Sequence, residues 1–399
     1  MSEDKKIMGL NRNVFFTGLV SLFMDFSSEM IYPLVPVFLS SVLGVNKSLI
    51  GLIEGIAEST ASFLKVFSGY LSDRLNKRKL FLIAGYGIST LSRPIIAMSG
   101  SWWHVLTFRF TDRTGKGIRG APRDAIIAAS TPPSEMGRAF GFHRAMDTAG
   151  AVLGPAVAYI ILLLFTGNYR LVFWLSMIPG IIAVSIIIFF IKEKKSVIGN
   201  KPVPVKLSFK NFDWRFKAFI VIVTIFSLGN SSDVFLILKA THTGIKEYLV
   251  PILYLIFNLV YALTSVPAGI ISDKTGKKRI IAFSFILFGF IYLGFALATK
   301  VWHIWVLFIF YGIFMGLTEG IQKAYLAGIM PEGMAGTGYG IYNTFTGIAI
   351  LPASVIGGYL WDRYNPSVTF YYGMITAFIS AILFLIIFTR IKENTEKKI

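Results

Sequence analysis

Apolar runs of close to twenty residues recur from one end of this chain to the other. A helix of that length crosses the ~30 Å hydrocarbon core of a bilayer, where each backbone amide must find its partner within the protein. Composition agrees. Of 399 residues, 54% are hydrophobic and only 15% charged, with a mean hydropathy of +0.66, whereas a soluble chain carries about 25% charged residues. The sequence therefore describes an all-α membrane protein. Twelve transmembrane helices are expected near 13–41, 47–71, 79–99, 102–129, 139–166, 169–191, 214–239, 247–271, 279–299, 301–329, 338–361 and 367–390. The first apolar segment, after MSEDKK, is too long for a signal-peptide core and is expected to remain as a helix. Cysteine is absent, which excludes disulfides, thiol catalysis and cysteine-rich metal sites.

One polar interval, EKKSVIGNKPVPVKLSFKNF, divides the helices six and six. This gives an N-terminal six-helix bundle (1–192), a cytoplasmic linker (193–213) and a C-terminal six-helix bundle (214–399). With the N-terminus in the cytoplasm, 24 of the 39 Lys and Arg fall on the cytoplasmic side and six on the other. Both termini are then cytoplasmic in a multi-pass protein of the cell (inner) membrane. The net charge of +18 follows from this topology and from affinity for anionic lipid heads, without a nucleic-acid partner.

The two halves repeat each other. GYLSDRLNKRKLF (69–81) matches GIISDKTGKKRII (269–281), SSEM (27–30) matches SSDV (231–234), and the fourth span aligns with the tenth. Parallel six-helix repeats imply a pseudo-two-fold axis along the membrane normal and a binding site between the halves.

These motifs resemble the major facilitator superfamily over nearly the whole chain. The family's loop signature G-x-L-A-D-R-x-G-R-K stands here as GYLSDRLNKRK, with Asn76 for glycine, and its repeat keeps Gly276. The fourth span reads RTGKGIR where drug–proton antiporters of the family carry R-x-x-Q-G-x-G. GAVLGPAVAY (150–159) keeps Gly150, Gly154 and Pro155 of the antiporter pattern on the fifth span. The resemblance implies an antiporter-like carrier of drugs or metabolites. Gly69, Asp73, Arg74 and Arg78, with Gly269, Asp273 and Lys274 in the repeat, then form a cytoplasmic gate. A topogenic charge cluster that only anchors the loop is the alternative.

Between two apolar stretches lies RFTDRTGKGIRGAPRD (109–124). Arg109, Arg113, Lys116, Arg119 and Arg123 share one helical face. Each charge costs ~2.5–3.5 kcal/mol at mid-membrane, so the stripe faces protein or water. Seven acids and eight bases in the first-half spans could form a structural network, and about half of the stripe is expected to do so. Arg113, Lys116 and Arg119 are the candidates for substrate. Asp25, Glu29 and Tyr32 share a face of the first span with Pro36; Asp25 and Glu29 are the first candidates for proton coupling, ahead of Glu54 and Glu58 on the second span. A fixed salt bridge to the fourth span is the alternative for each acid. His143 and Asp147 on the fifth span form a possible pH-sensitive pair, His143 alternatively an interfacial residue. Asn230, Asp233 and Glu319 are the second half's substrate candidates, with aromatic contacts expected from Phe235, Tyr325, Tyr342 and Phe345.

No enzyme is expected. His104, His143, His242 and His303 are scattered, and no phosphate loop is present, so neither metal, cofactor nor ATP coupling is read. The expected function is a monomeric secondary transporter, most simply a proton-coupled exporter of a small anionic or polar organic solute. A proton-coupled uptake symporter for an anionic metabolite is the runner-up, and a non-transporting membrane sensor the third reading.

Overall fold

A computed structural model describes residues 6–75, 77–132, 135–193, 212–331 and 334–388. Most of the linker (194–211) lies outside these, as do Asn76 and the side chain of Asp73. Twelve membrane-length helices follow a two-residue hairpin pair, Lys6–Ile7 with Leu10–Asn11. In the first half these are α1 (Arg12–Val42), α2 (Lys47–Leu75), α3 (Arg78–Ala97), α4 (Trp102–Ala129), α5 (Met136–Leu164) and α6 (Tyr169–Phe190). The second half contains α7 (Trp214–His242), α8 (Glu247–Thr275), α9 (Lys277–Leu297), α10 (Val301–Ile329), α11 (Ala335–Arg363) and α12 (Pro366–Phe388).

Ten of these are apolar enough to cross a membrane by composition alone. The other two, α2 and α4, carry too much charge, and they pack against each other inside the first half. Glycine makes their approach possible. A Cβ on Gly117 of α4 would meet Leu64 Cβ of α2 at 2.7 Å, and one on Gly115 would meet the Ser89 amide of α3 at 3.0 Å. These glycines serve helix packing. Outward faces are apolar, with Leu164, Phe189 and Val266 at least 70% exposed. Trp103 and Trp302 sit exposed at equivalent starts of α4 and α10, where an interfacial aromatic belt belongs.

Two helices depart from regular geometry. Around Pro33 and Pro36, α1 passes through a 3₁₀ turn (Tyr32–Leu34) and a π turn (Phe38–Val42). The hydropathy pattern predicts one continuous helix for α7, but helix stops at Gly229 and restarts at Val234. Serine hydroxyls replace the lost backbone bonds: Ser354 Oγ accepts from the Ser232 amide at 3.2 Å, and Ser232 Oγ from the Val234 amide at 3.4 Å. Asn230 to Asp233 are thereby turned out of the helical ladder toward the molecular axis.

The halves meet along α2 with α11 and α5 with α8. On the side away from the linker they are shut. Leu34, Val37, Phe38, Phe235, Val250 and Leu253 are all buried there. Asp362 of α11 accepts from the Lys47 and Ser48 amides at the start of α2, at 3.1 and 2.7 Å, and from the Ser48 hydroxyl at 2.6 Å. Tyr169 donates to Glu247 nearby. Toward the linker side, Arg144 and Glu319 pair across the halves at 3.7 Å, yet remain 55% and 44% exposed. The linker side is thus the less closely packed of the two.

Candidate functional site

Between the halves lies a cavity of about 540 Å³. Its first-half wall comes mainly from α1 and α4. Asp25, Glu29, Tyr32, Glu58, Arg113, Lys116 and Arg119 line it, and Asn230, Asp233 and Glu319 face them from the second half. Ten of the thirteen substrate and coupling candidates thus converge. Glu54, His143 and Asp147 lie outside the lining.

The stripe on α4 separates into two kinds of residue. Arg109 donates to buried Glu54 and lies 3.4 Å from Glu58, while Arg113 Nε sits 3.1 Å from Glu58. Both guanidinium groups lie over the Tyr32 ring, at 5.3 and 5.5 Å from its centroid. Arg123 pairs with its neighbour Asp124 at 2.9 Å. Lys116 and Arg119 differ: among the described residues neither has a carboxylate within 4.0 Å. Arg119 is buried, donates to Ser89 Oγ at 2.6 Å and lies over the Tyr86 ring. Lys116 is exposed to the cavity.

On α1 the acids are equally divided from the network. Asp25 and Glu29 make no ion pair among the described residues, and Glu29 Oε2 is buried without a hydrogen bond. The small residues of α5 bring them to this position. A Cβ on Gly150 would sit 3.0 Å from Asp25 Cβ; one on Gly154 would sit 2.9 Å from Glu29 Cβ. The glycine pattern of the fifth helix is therefore the surface against which the α1 acids pack. His143 and Asp147, 3.4 Å apart, form the expected pair on α5 but away from the cavity.

In the second half Asp233 accepts from Tyr311 at 2.6 Å. Glu319 pairs with Lys323 at 3.3 Å as well as with Arg144, and Tyr261 donates to it. Sequence reasoning missed two features. Arg93 is buried and bridges Asp112 (3.3 Å) and Ser28 (3.0 Å), tying α3 to α4 and α1. Tyr254 and Tyr311 line the cavity, whereas of the four second-half aromatics expected Tyr342 alone does so; Phe235 and Tyr325 are in the core and Phe345 is exposed outside the lining. Nothing in the pattern distinguishes such tyrosines from packing residues in an apolar helix.

At the gate motif, Gly276 holds φ +94°, a conformation glycine adopts without strain. Asp273 pairs with Lys277 at 3.3 Å, across the loop but within its own half. A Cβ on Gly69 would touch Ala121 of its own half at 3.1 Å, and one on Gly269 would meet nothing. Arg74 and Lys274 end their helices as C-terminal cations, and Arg78 opens α3.

Two copies of one sequence pattern account for this duplicated architecture. The Major Facilitator Superfamily pattern matches residues 17–231 and again 218–399. The chain belongs to the major facilitator superfamily. An uncharacterised MFS-type transporter of Methanocaldococcus jannaschii is 39% identical over 384 residues, covering 95% of each chain. A multi-drug resistance efflux pump PmrA homolog of Lactococcus lactis is 23% identical over 340 residues, 82% of each chain. Among solved structures, a POT family transporter in complex with 5-aminolevulinic acid superposes with a TM-score of 0.80 at 12% identity, covering 96% of this chain and 97% of that one. These relatives are transporters, and this MFS protein is a multi-pass membrane transporter, not an enzyme.

The division of the α4 stripe sets an expected result. Lys116→Ala should lower substrate affinity at least tenfold while leaving the melting temperature within a few degrees. Arg113→Ala should lower the melting temperature by strandng part of the Glu58 charge. Thermal melting and ligand titration on both purified variants check this; the reverse pattern would assign the roles the other way.

Proposed function

We propose that this MFS protein is a proton-coupled exporter of a small polar organic solute carrying an anionic group. The observation that carries this reading is the pairing pattern. Two acids on α1 and two bases on α4 face one cavity without ion-pair partners among the described residues, in a wall whose other charges are mostly neutralised in place. Lys116 and Arg119 receive the solute's anionic group. Asp25 and Glu29 carry protons, because a carboxylate that moves between a desolvated and a cation-rich setting gains and loses one readily. Glu54 and Glu58, held by Arg109 and Arg113, supply the counter-charge that keeps the arginines in place.

In the orientation that puts the linker in the cytoplasm, the cavity described here faces inward. Solute enters from the cytoplasm, the halves rock, and Asp73, Arg74 and Arg78 close the inner side with Asp273 and Lys274, near Gly69 and Gly269. The chain works as a monomer in the cell membrane among anionic lipid heads, with protons as its driving partner and without a cofactor.

Reconstitution tests the direction. In liposomes holding a pH-sensitive dye, candidate organic anions applied on one side should drive protons the opposite way. Movement of both in one direction would make the protein an uptake symporter. Asp25→Asn should reduce gradient-driven flux at least tenfold and spare solute counterflow; unchanged gradient-driven flux removes Asp25 from coupling.

A further inference from the structure

The geometry points to a zwitterionic substrate, held with its cationic end toward the closed side at Asp233 and its anionic end at Lys116 and Arg119. This deepens the transport reading above and rests on it. An anion-binding cavity would be expected to hold an excess of bases. Here six acids and six bases line the space, so its net charge selects nothing by itself. Selection falls to groups that are not already paired. Glu58 is held by Arg113, Asp112 by Arg93 and Glu319 by Lys323. Asp25, Glu29 and Asp233 remain without a Lys or Arg within 4.0 Å among the described residues, as do Lys116 and Arg119 without a carboxylate.

These groups are sorted along the axis. At ~1.5 Å per helical residue from the middle of its span, Glu29 lies roughly 3 Å toward the closed side, and Asp233 lies on that side too, beyond the helix stop at Gly229. Lys116 lies near mid-span and Arg119 roughly 5 Å toward the linker, so the bases stand ~4–8 Å from Glu29 along the axis and further from Asp233. Asp25 shares the level of the bases, which leaves Glu29 and Asp233 as the acidic pole. Around that pole the ligand would meet rings. Tyr311 donates to Asp233, and Tyr254 also lines the cavity, giving aromatic rings of the kind that attract an ammonium group. The Asn230 side-chain amide lines the cavity, and its oxygen, buried and without a hydrogen bond among the described residues, can accept from an ammonium group. The break in α7 makes this arrangement possible, because it lifts Asn230 and Asp233 out of the helical ladder. A cation at Glu29 also excludes a proton from it, which links release of one to uptake of the other.

Three probes of matched shape test the two poles. They are para-(aminomethyl)phenylacetate, para-methylphenylacetate, which lacks the cation, and para-methylbenzylamine, which lacks the anion. Titrated against the purified full chain, the zwitterion should bind at least tenfold more tightly than either single-charge probe. Asp233→Asn should erase its advantage over para-methylphenylacetate, and Lys116→Gln its advantage over para-methylbenzylamine. Equal binding of the zwitterion and the anion to the unmodified protein, or no measurable binding of any probe, overturns the dipolar site. Solute-driven proton movement in liposomes with other anions would survive that outcome, so the transport reading is judged separately.

Discussion

Arg109→Leu should be the most destabilising single substitution at the first-half interface, by about 3–5 kcal/mol. Its partner Glu54 is 1% exposed, and Glu54 Oε1 has no hydrogen bond of its own. Without Arg109 the carboxylate would be left uncompensated in a dry wall. A loss of that size is a large part of a typical 5–15 kcal/mol stability. The opposite substitution is milder. In Glu54→Gln, Arg109 retains Glu58 at 3.4 Å, so its charge stays partly matched. The double variant Glu54→Leu/Arg109→Leu should recover most of the loss, because buried pairs exchange for packed apolar side chains at little cost. Thermal melting of the purified proteins in detergent ranks the three. Equal melting of Arg109→Leu and the unmodified protein, or a double variant no better than the single, would sink the structural role given to this pair.

The span boundaries were legible because hydropathy and glycine–proline punctuation act locally; α4 and α10 begin and end where the pattern places them. The site was legible in part. Helical spacing alone put Asp25 with Glu29 and Arg113 with Lys116 on single faces, and those faces do meet at one cavity. Pairing was not legible. Whether Arg109 or Arg119 finds a carboxylate depends on how far α2 stands from α4, and glycine contacts set that distance. The break in α7 was also hidden. Asn230-Ser231-Ser232-Asp233 contains no proline, and its lost helical bonds are replaced from Ser354 on α11, more than a hundred residues away. Such long-range satisfaction leaves no periodic trace.

Asp362→Ala should release the closed side of the protein. In a helix of 29 residues, the first amides of α2 have no intrahelical acceptor. Here the acceptor comes from the other half: Asp362 takes the Lys47 and Ser48 amides and the Ser48 hydroxyl together. A carboxylate in that place is also favoured by the helix dipole. Because its two sides belong to different halves, the cap forms only while the far side is shut. Losing a cap of this kind costs about 1–2 kcal/mol, which shifts the balance toward the far-open state by about 5–30-fold. The chain offers a clean reporter, since it has no cysteine of its own. Val37 is fully buried where α1 packs on the Val234–His242 segment of α7. A Val37→Cys protein should therefore react slowly with a membrane-impermeant maleimide applied to that side, and about 5–30-fold faster once Asp362→Ala is added. Tyr169 and Glu247 brace the same side, so Tyr169→Phe should add to the effect. If the labelling rate does not change with Asp362→Ala, the cap does not hold the closed state.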